Sequence, residues 1–149
     1  MEKIFIYYSL TGNGDLVSNS FKEQRYVLRK VEEKHKAPKS FFFRVLEGGF
    51  RAGLGLKGKL VNYDNDVSKF NEVVIGSPIW NGRFPPAINS VLKQTNLENK
   101  KLTFVFYSGS GEGIKALKKV NENYKNARVI FLKEPIKYNE ELIKLNSIF

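Results

Sequence analysis

Apolar residues along this chain fall into two patterns, short unbroken runs and longer stretches at helical spacing, and the two alternate. The first run, Ile4 to Tyr8, is β-branched and aromatic with no polar alternation, which predicts a strand covered on both faces and therefore central in its sheet. A polar, Gly-rich turn follows, Ser9-Leu10-Thr11-Gly12-Asn13-Gly14-Asp15, and Leu16, Val17 and Phe21 then begin a helix. Tyr26 to Val31 is a weaker strand, interrupted by basic residues as an edge strand would be. Val73 to Gly76, Leu102 to Tyr107 and Arg128 to Leu132 predict three more strands. Behind Pro85-Pro86, Ile88, Val91 and Leu92 recur at helical spacing; Ile114, Leu117 and Val120 predict a helix with one buried face, and Glu140 to Phe149 a short last helix. Strands alternating with helices in this way predict an α/β fold, a doubly wound five-stranded parallel sheet, in one domain spanning residues 1–149.

The segment from Ser40 to Leu60 breaks the alternation. It opens amphipathically with Phe42, Val45 and Leu46 and then carries five glycines, which predicts a helix fraying into a loop. It also lies within the most basic part of the chain. Residues 22–60 hold eleven Lys/Arg against four Asp/Glu and so supply +7 of the net charge of +10. Such a stretch is either a docking face for an anionic partner or, as charge runs more often are, a solvated surface. Its aromatic residues, Phe41, Phe42 and Phe43, suit a buried helix face better than base stacking, so nucleic acid is a poor expectation.

Composition narrows the chemistry. No cysteine is present, which excludes disulfides, iron–sulfur clusters, thiolate zinc sites and a cysteine nucleophile, and the single histidine, His35, excludes histidine metal clusters. No apolar run approaches the ~20 residues of a membrane span, and Met1 leads straight into a strand without the basic start of a signal peptide, so the expectation is a cytoplasmic protein with no membrane span.

In an open parallel sheet the loops leaving the carboxyl ends of the strands converge on a crevice where ligands bind. The loops after the first, third and fourth strands are built from Ser, Thr, Asn and Gly, and one adds the only tryptophan, Trp80. In the first, Ser9 and Thr11 offer hydroxyls, Asn13 an amide, and Gly12 and Gly14 unobstructed backbone N–H groups at a helix N-terminus, a set able to hold a phosphate without Lys or Arg. Alone, this loop would better suit a plain strand-to-helix turn with Asn13 or Asp15 as N-cap; the company of the other two loops shifts the weight. A GxxxxGK[ST] loop is absent, as is the third glycine of a dinucleotide fingerprint. A phospho-acceptor receiver would need acidic residues where this chain has Ser9 and Ser77.

The run Ser9-Leu10-Thr11-Gly12-Asn13-Gly14 resembles the flavodoxin phosphate loop, and Val73 to Asn89 (VVIGSPIWNGRFPPAIN) resembles the segment that wraps the isoalloxazine ring in that family. Ser108 to Gly113 is similar to the third flavin loop in position and texture. The resemblance implies a flavodoxin-like three-layer α/β/α fold and an FMN cofactor, with Ser9, Leu10, Thr11, Gly12, Asn13 and Gly14 around the phosphate. It places Pro78, Ile79, Trp80, Asn81 and Gly82 along the ring, with the Trp80 indole against one face, where it would make the charge of the reduced flavin costly. It further implies that the Asn81–Gly82 peptide turns its carbonyl toward the ring upon one-electron reduction, a turn that glycine makes cheap, and that Ser108, Gly109, Ser110 and Gly111 offer backbone N–H groups to the edge where charge accumulates. The sequence departs from the family at Gly14, often Thr, in a third loop without an aromatic residue, and in its basic charge.

Three functions follow in order. The first is a low-potential one-electron carrier between redox proteins, docked through the basic 22–60 face and needing no catalytic acid or base. The second is a small FMN-dependent NAD(P)H reductase passing electrons to a quinone or similar acceptor, suggested by the uncovered ring face and by Arg83. The third is a non-redox module binding an anion or nucleic acid through the basic stretch.

Overall fold

The computed structural model describes residues 2–34 and 57–149. Strand β1 (Glu2–Tyr8) leads to helix α1 (Asn13–Glu23) and strand β2 (Val27–Val31). After the undescribed stretch come β3 (Phe70–Pro78), α2 (Pro86–Gln94), β4 (Lys101–Ser108), α3 (Ile114–Asn123), β5 (Arg128–Lys133) and a 3₁₀ helix (Asn139–Ser147). All neighbouring strands pair in parallel, in the order β2-β1-β3-β4-β5. This is the flavodoxin-like doubly wound order, in which the chain reverses direction across the sheet between β1 and β3. The helix expected from Ser40, Phe41 to Phe43, His35 and the basic residues Lys36, Lys39, Arg44 and Arg51 lie outside the described residues.

Why the strands lack alternation is visible in their packing: successive residues face opposite sides and both sides are covered. Phe5, Tyr7, Val74, Val105, Tyr107, Ile130 and Leu132 pack with Val17 and Phe21 of α1 and with Leu145 and Ile148. On the other face Ile4, Ile6, Tyr8, Val73, Ile75, Phe104 and Phe106 pack with Ala87, Ile88 and Val91 of α2 and Ala116 and Val120 of α3. β2 is an edge strand, as its basic interruptions imply, and two of them form ion pairs, Arg29 with Asp64 at 2.8 Å and Lys30 with Asp15 at 2.6 Å.

Three expectations need correction. Helix α1 starts at Asn13, so its N-cap is Gly12 and neither Asn13 nor Asp15. Ile114, the helix's first residue, is 74% exposed, and the buried stripe of α3 runs through Ala116 and Val120 instead. The last helix is 3₁₀, and its spacing explains this: Leu142, Leu145 and Ile148 stand three apart, which aligns them on one face at three residues per turn.

At the end of the sheet away from the strands' carboxyl ends, Tyr26 donates to Glu72, whose other oxygen lies 2.9 Å from Lys101. Burial alone would raise the Glu72 carboxyl, but the Tyr26 hydroxyl and Lys101 hold it below its ordinary range. No helix among the described residues is long and apolar enough to cross a membrane.

β1 and β3 are locked at Gly76. A Cβ there would stand 2.5 Å from the Phe5 ring and 2.9 Å from Tyr7 Cβ, and the Phe5 ring itself stacks on Phe21 with centroids 4.0 Å apart. Gly76→Ala should therefore destabilise the protein by roughly 1–3 kcal/mol through overpacking, read as a lower urea midpoint at unchanged slope.

Candidate functional site

The carboxyl ends of β1, β3 and β4 lie side by side, so the three polar loops emerge from adjacent strands on one rim. The first loop is shaped by two glycines. Gly12 sits in the left-handed region at φ +94°, and a Cβ there would stand 3.1 Å from Ile136 Cδ1. Gly14 is buried, and a Cβ would stand 2.5 Å from the Tyr107 hydroxyl and 2.9 Å from both Ser9 Cβ and the Tyr8 carbonyl oxygen. The absence of a hydroxyl side chain at position 14 thus has a structural cause: Tyr107, from β4, fills the space. Tyr107 donates to the Tyr8 carbonyl, and burial pushes its phenol well above the ordinary range, which keeps it a donor.

The N-cap of α1, Gly12, has no side chain to offer. Ser9 Oγ accepts from Asp15 N at 3.2 Å and the Gly12 carbonyl from Leu16 N at 3.0 Å, while the N–H groups of Thr11, Gly12, Asn13 and Gly14 have no acceptor among the described residues. Four consecutive unpaired N–H groups around a left-handed glycine at a helix N-terminus form an anion cradle with no cationic side chain of its own. Asn13 braces it: its Oδ1 accepts from Ile136 N at 3.0 Å, and its Nδ2 lies 3.4 Å from Thr11 Oγ1.

The second loop is a tight turn. Trp80 and Arg83 exchange both backbone hydrogen bonds, at 2.9 and 3.0 Å, and the two residues between them have positive φ, 51° at Asn81 and 73° at Gly82. This is a type I′ turn, for which Asn-Gly is the favoured pair. The Gly82 carbonyl accepts from Ala116 N at 2.8 Å, which ties the turn to the first turn of α3. Reversing the Asn81–Gly82 peptide within this frame would change ψ at Asn81 and carry it into a region that only glycine adopts freely. The strain of a peptide turn therefore falls on Asn81, whereas the sequence suggests glycine relieves it.

The third loop supports itself. Ser108 Oγ accepts from Glu112 N at 3.0 Å and donates to the Glu112 carbonyl at 2.8 Å, and the Ser108 carbonyl accepts from Glu134 N at 3.0 Å. Ser110 Oγ lies 3.2 Å from Glu112 N. The Ser108 hydroxyl thus serves the loop's own scaffold, and the N–H groups of Gly109 and Ser110 are left without an acceptor among the described residues. A Cβ on Gly109 would meet nothing within 4 Å, so its backbone opens onto free space.

Between the second and third loops lies an open cavity of about 440 Å³, lined by Ile79, Asn81, Gly82, Ser108, Gly109, Ser110, Glu112, Gly113, Ile114 and Lys115. Six of the fifteen residues singled out in the sequence meet here. Pro78 is the last residue of β3, Gly111 takes φ +75° in the third loop, and Ser9 to Gly14 form the cradle at the end of the adjacent strand, β1. Trp80 is not part of the lining. It is half-buried, with its ring edge-on to Tyr8 at 5.9 Å. Ile114 and Lys115 escaped sequence reasoning because the helical period assigns Ile114 to the core, and Lys115 looks like any surface lysine of a helix.

Gly82→Ala should cost roughly 1–2 kcal/mol, because alanine disfavours the left-handed region that the turn requires, whereas Gly109→Ala should change stability far less. Paired urea titrations of the two variants read the difference; equal losses would mean the turn is not held as described.

No protein-family model and no curated protein matches this sequence. Solved structures do. A "putative flavoprotein" from Bacteroides eggerthii is 15% identical, with 99% of this chain and 97% of that chain covered and a TM-score of 0.77. A flavoprotein from Lactobacillus acidophilus in complex with FMN is 17% identical over 93% of this chain and 97% of that one, with a TM-score of 0.66. A "putative quinone reductase" from Klebsiella pneumoniae is 10% identical over 99% and 83% of the two chains, with a TM-score of 0.50. What these proteins share with this chain is the flavodoxin-like fold.

Proposed function

We propose that this chain binds FMN across the crevice at the carboxyl ends of β1, β3 and β4 and serves as a low-potential one-electron carrier between redox proteins. The observation that carries the reading is the pairing of an uncharged anion cradle, the N–H groups of Thr11 to Gly14 that have no acceptor among the described residues, with a neighbouring cavity lined mainly by neutral donors and two isoleucines, Glu112 and Lys115 being its charged residues. That donor set fits a phosphate joined to a flat, largely apolar ring with polar edges. A structural relative described in complex with FMN supports the same cofactor.

Bound there, FMN would supply the capacity to take up and release electrons singly or in pairs. The chain's part is to hold and tune it. Thr11 to Gly14 would donate to the phosphate, with the N-terminal end of α1 adding its positive dipole. Ile79 and Ile114 would exclude water from the ring, and the Gly109 and Ser110 N–H groups would face the edge where negative charge gathers. The Asn81 carbonyl would be the acceptor for a ring proton, since the Gly82 carbonyl is already bound to Ala116. Partners on this reading are redox proteins docking on the basic residues of 22–60, of which Arg29 and Lys30 are already engaged with Asp64 and Asp15.

The reductase reading gains from one observation: no aromatic side chain lines the cavity, and Ile114 at its mouth is 74% exposed, which leaves room for a second flat molecule. The likeness to a protein named as a quinone reductase points the same way.

The cradle is tested by Thr11→Ala, which removes a hydroxyl donor to a charged acceptor and should weaken FMN binding by roughly 1.5–3 kcal/mol while leaving riboflavin, bound poorly, nearly unaffected. Equal affinity for FMN and riboflavin in the parent protein would place the phosphate elsewhere. The carrier is tested by stopped-flow mixing of the FMN-loaded protein with NADPH. Slow bleaching of the flavin absorbance, with two resolved one-electron steps in a reductive titration, is the expected result; rapid two-electron bleaching would assign the protein to the reductases.

A further inference from the structure

Beside the ring cavity, and sharing Lys115 with it, lies a second cavity of about 410 Å³ between the Asn81–Gly82 turn, the start of α2 and the outer side of α3. Arg83, Lys115, Lys118 and Lys119 line it together with Phe84, Asn89 and a single carboxylate, Glu122. The sequence hides this cluster: Arg83 is more than thirty residues from the lysines, and α3 reads as an ordinary solvated basic face. Folding brings the four cations together because Gly82 is bonded to the N-terminal turn of α3.

Two of the four cations are held in place. Arg83 is rooted in the type I′ turn by both backbone bonds to Trp80, and its Nε, shielded from solvent, has no acceptor among the described residues. Lys119 Nζ donates to Asn89 Oδ1 at 2.9 Å and stands 5.8 Å from the centre of the Phe84 ring. Its ammonium is partly desolvated, with Lys57 close enough to repel it, and both effects lower its pKa. Glu122 offsets little of this charge, being 59% exposed and 3.9 Å from Lys118 across one helical turn. Such a grouping is self-repelling when empty. An anion relieves the repulsion.

We infer that this cavity is a binding site for a small molecule carrying two linked phosphate groups. A guanidinium fork suits one phosphate through paired N–H donors, and lysines suit the other as point charges; one phosphate alone would leave part of the cluster uncompensated. The cavity's volume lies in the range of small-molecule sites. A nucleoside diphosphate and a dinucleotide both carry the required group. The dinucleotide could reach past Lys115 into the ring cavity, and the site stands whether or not FMN binds there.

The test is a titration of the full chain with inorganic pyrophosphate at constant ionic strength, followed by amide shifts in ¹H–¹⁵N spectra. The expected result is a saturable response of Arg83, Lys115, Ala116 and Lys119, with orthophosphate at least about tenfold weaker and Arg83→Gln and Lys119→Gln each raising Kd about tenfold. Lys118→Gln, at an exposed position, gives the same reading should either other variant fold poorly. Parallel titrations with ADP and with NADPH then separate the sources: tighter binding of ADP identifies a nucleoside diphosphate site, and tighter binding of NADPH a dinucleotide site. A response confined to Thr11–Gly14 overturns the inference, since the anion would then sit in the cradle. Binding of polyglutamate without binding of pyrophosphate overturns it in favour of a protein-docking surface.

Discussion

Phe5 can lie across β3 only because residue 76 has no side chain, and the geometry of the rim depends on that close approach. With β1 and β3 locked, β4 follows in register, Ile75 beside Phe104 and Ser77 beside Phe106. Tyr107 then arrives beneath the first loop, where its hydroxyl bonds the end of β1 and occupies the space that a side chain at position 14 would need. The cradle's shape is thus set from below by a tyrosine two strands away. Its four N–H groups have no acceptor among the described residues, and the N-cap Gly12 has no side chain to offer one.

The rim divides its labour by charge. At the cradle the field comes from backbone dipoles, so an anion there is held by directional hydrogen bonds and responds little to salt. Around Arg83 and Lys119 it comes from full charges on long side chains, two of them restrained. The cavity between the second and third loops adjoins the basic one, with Lys115 at the shared border. Meanwhile the linked ionisable groups Tyr26, Glu72 and Lys101 stand at the far end of the sheet, where they fasten strands.

Much of the fold was legible in the chain because its signals are local. Unbroken β-branched and aromatic runs can be covered only in a sheet packed on both faces, and that requirement, with the alternation of strands and helices, leaves few topologies. The edge position of β2 followed from its charges, and the three loops from where strands end. The registers of α3 and of the last helix were less legible. Ile114 and Leu142 are apolar residues whose facing is decided by what lies across from them, and a three-residue period is easily taken for an α-helical one.

The sequence by itself determined the fold class, the strand count, the three neutral loops and the Asn-Gly turn, since each rests on neighbouring residues and their intrinsic conformations. Only the tertiary structure decided which loop residues face a common space. It set Trp80 against Tyr8 and outside the lining of the cavity between the second and third loops, spent the Ser108 hydroxyl on its own loop, and showed Gly14 to be a packing requirement of Tyr107. It also gathered Arg83 with the α3 lysines. Those outcomes depend on side chains from distant parts of the chain competing for one volume or one hydrogen bond, and no local pattern records who wins.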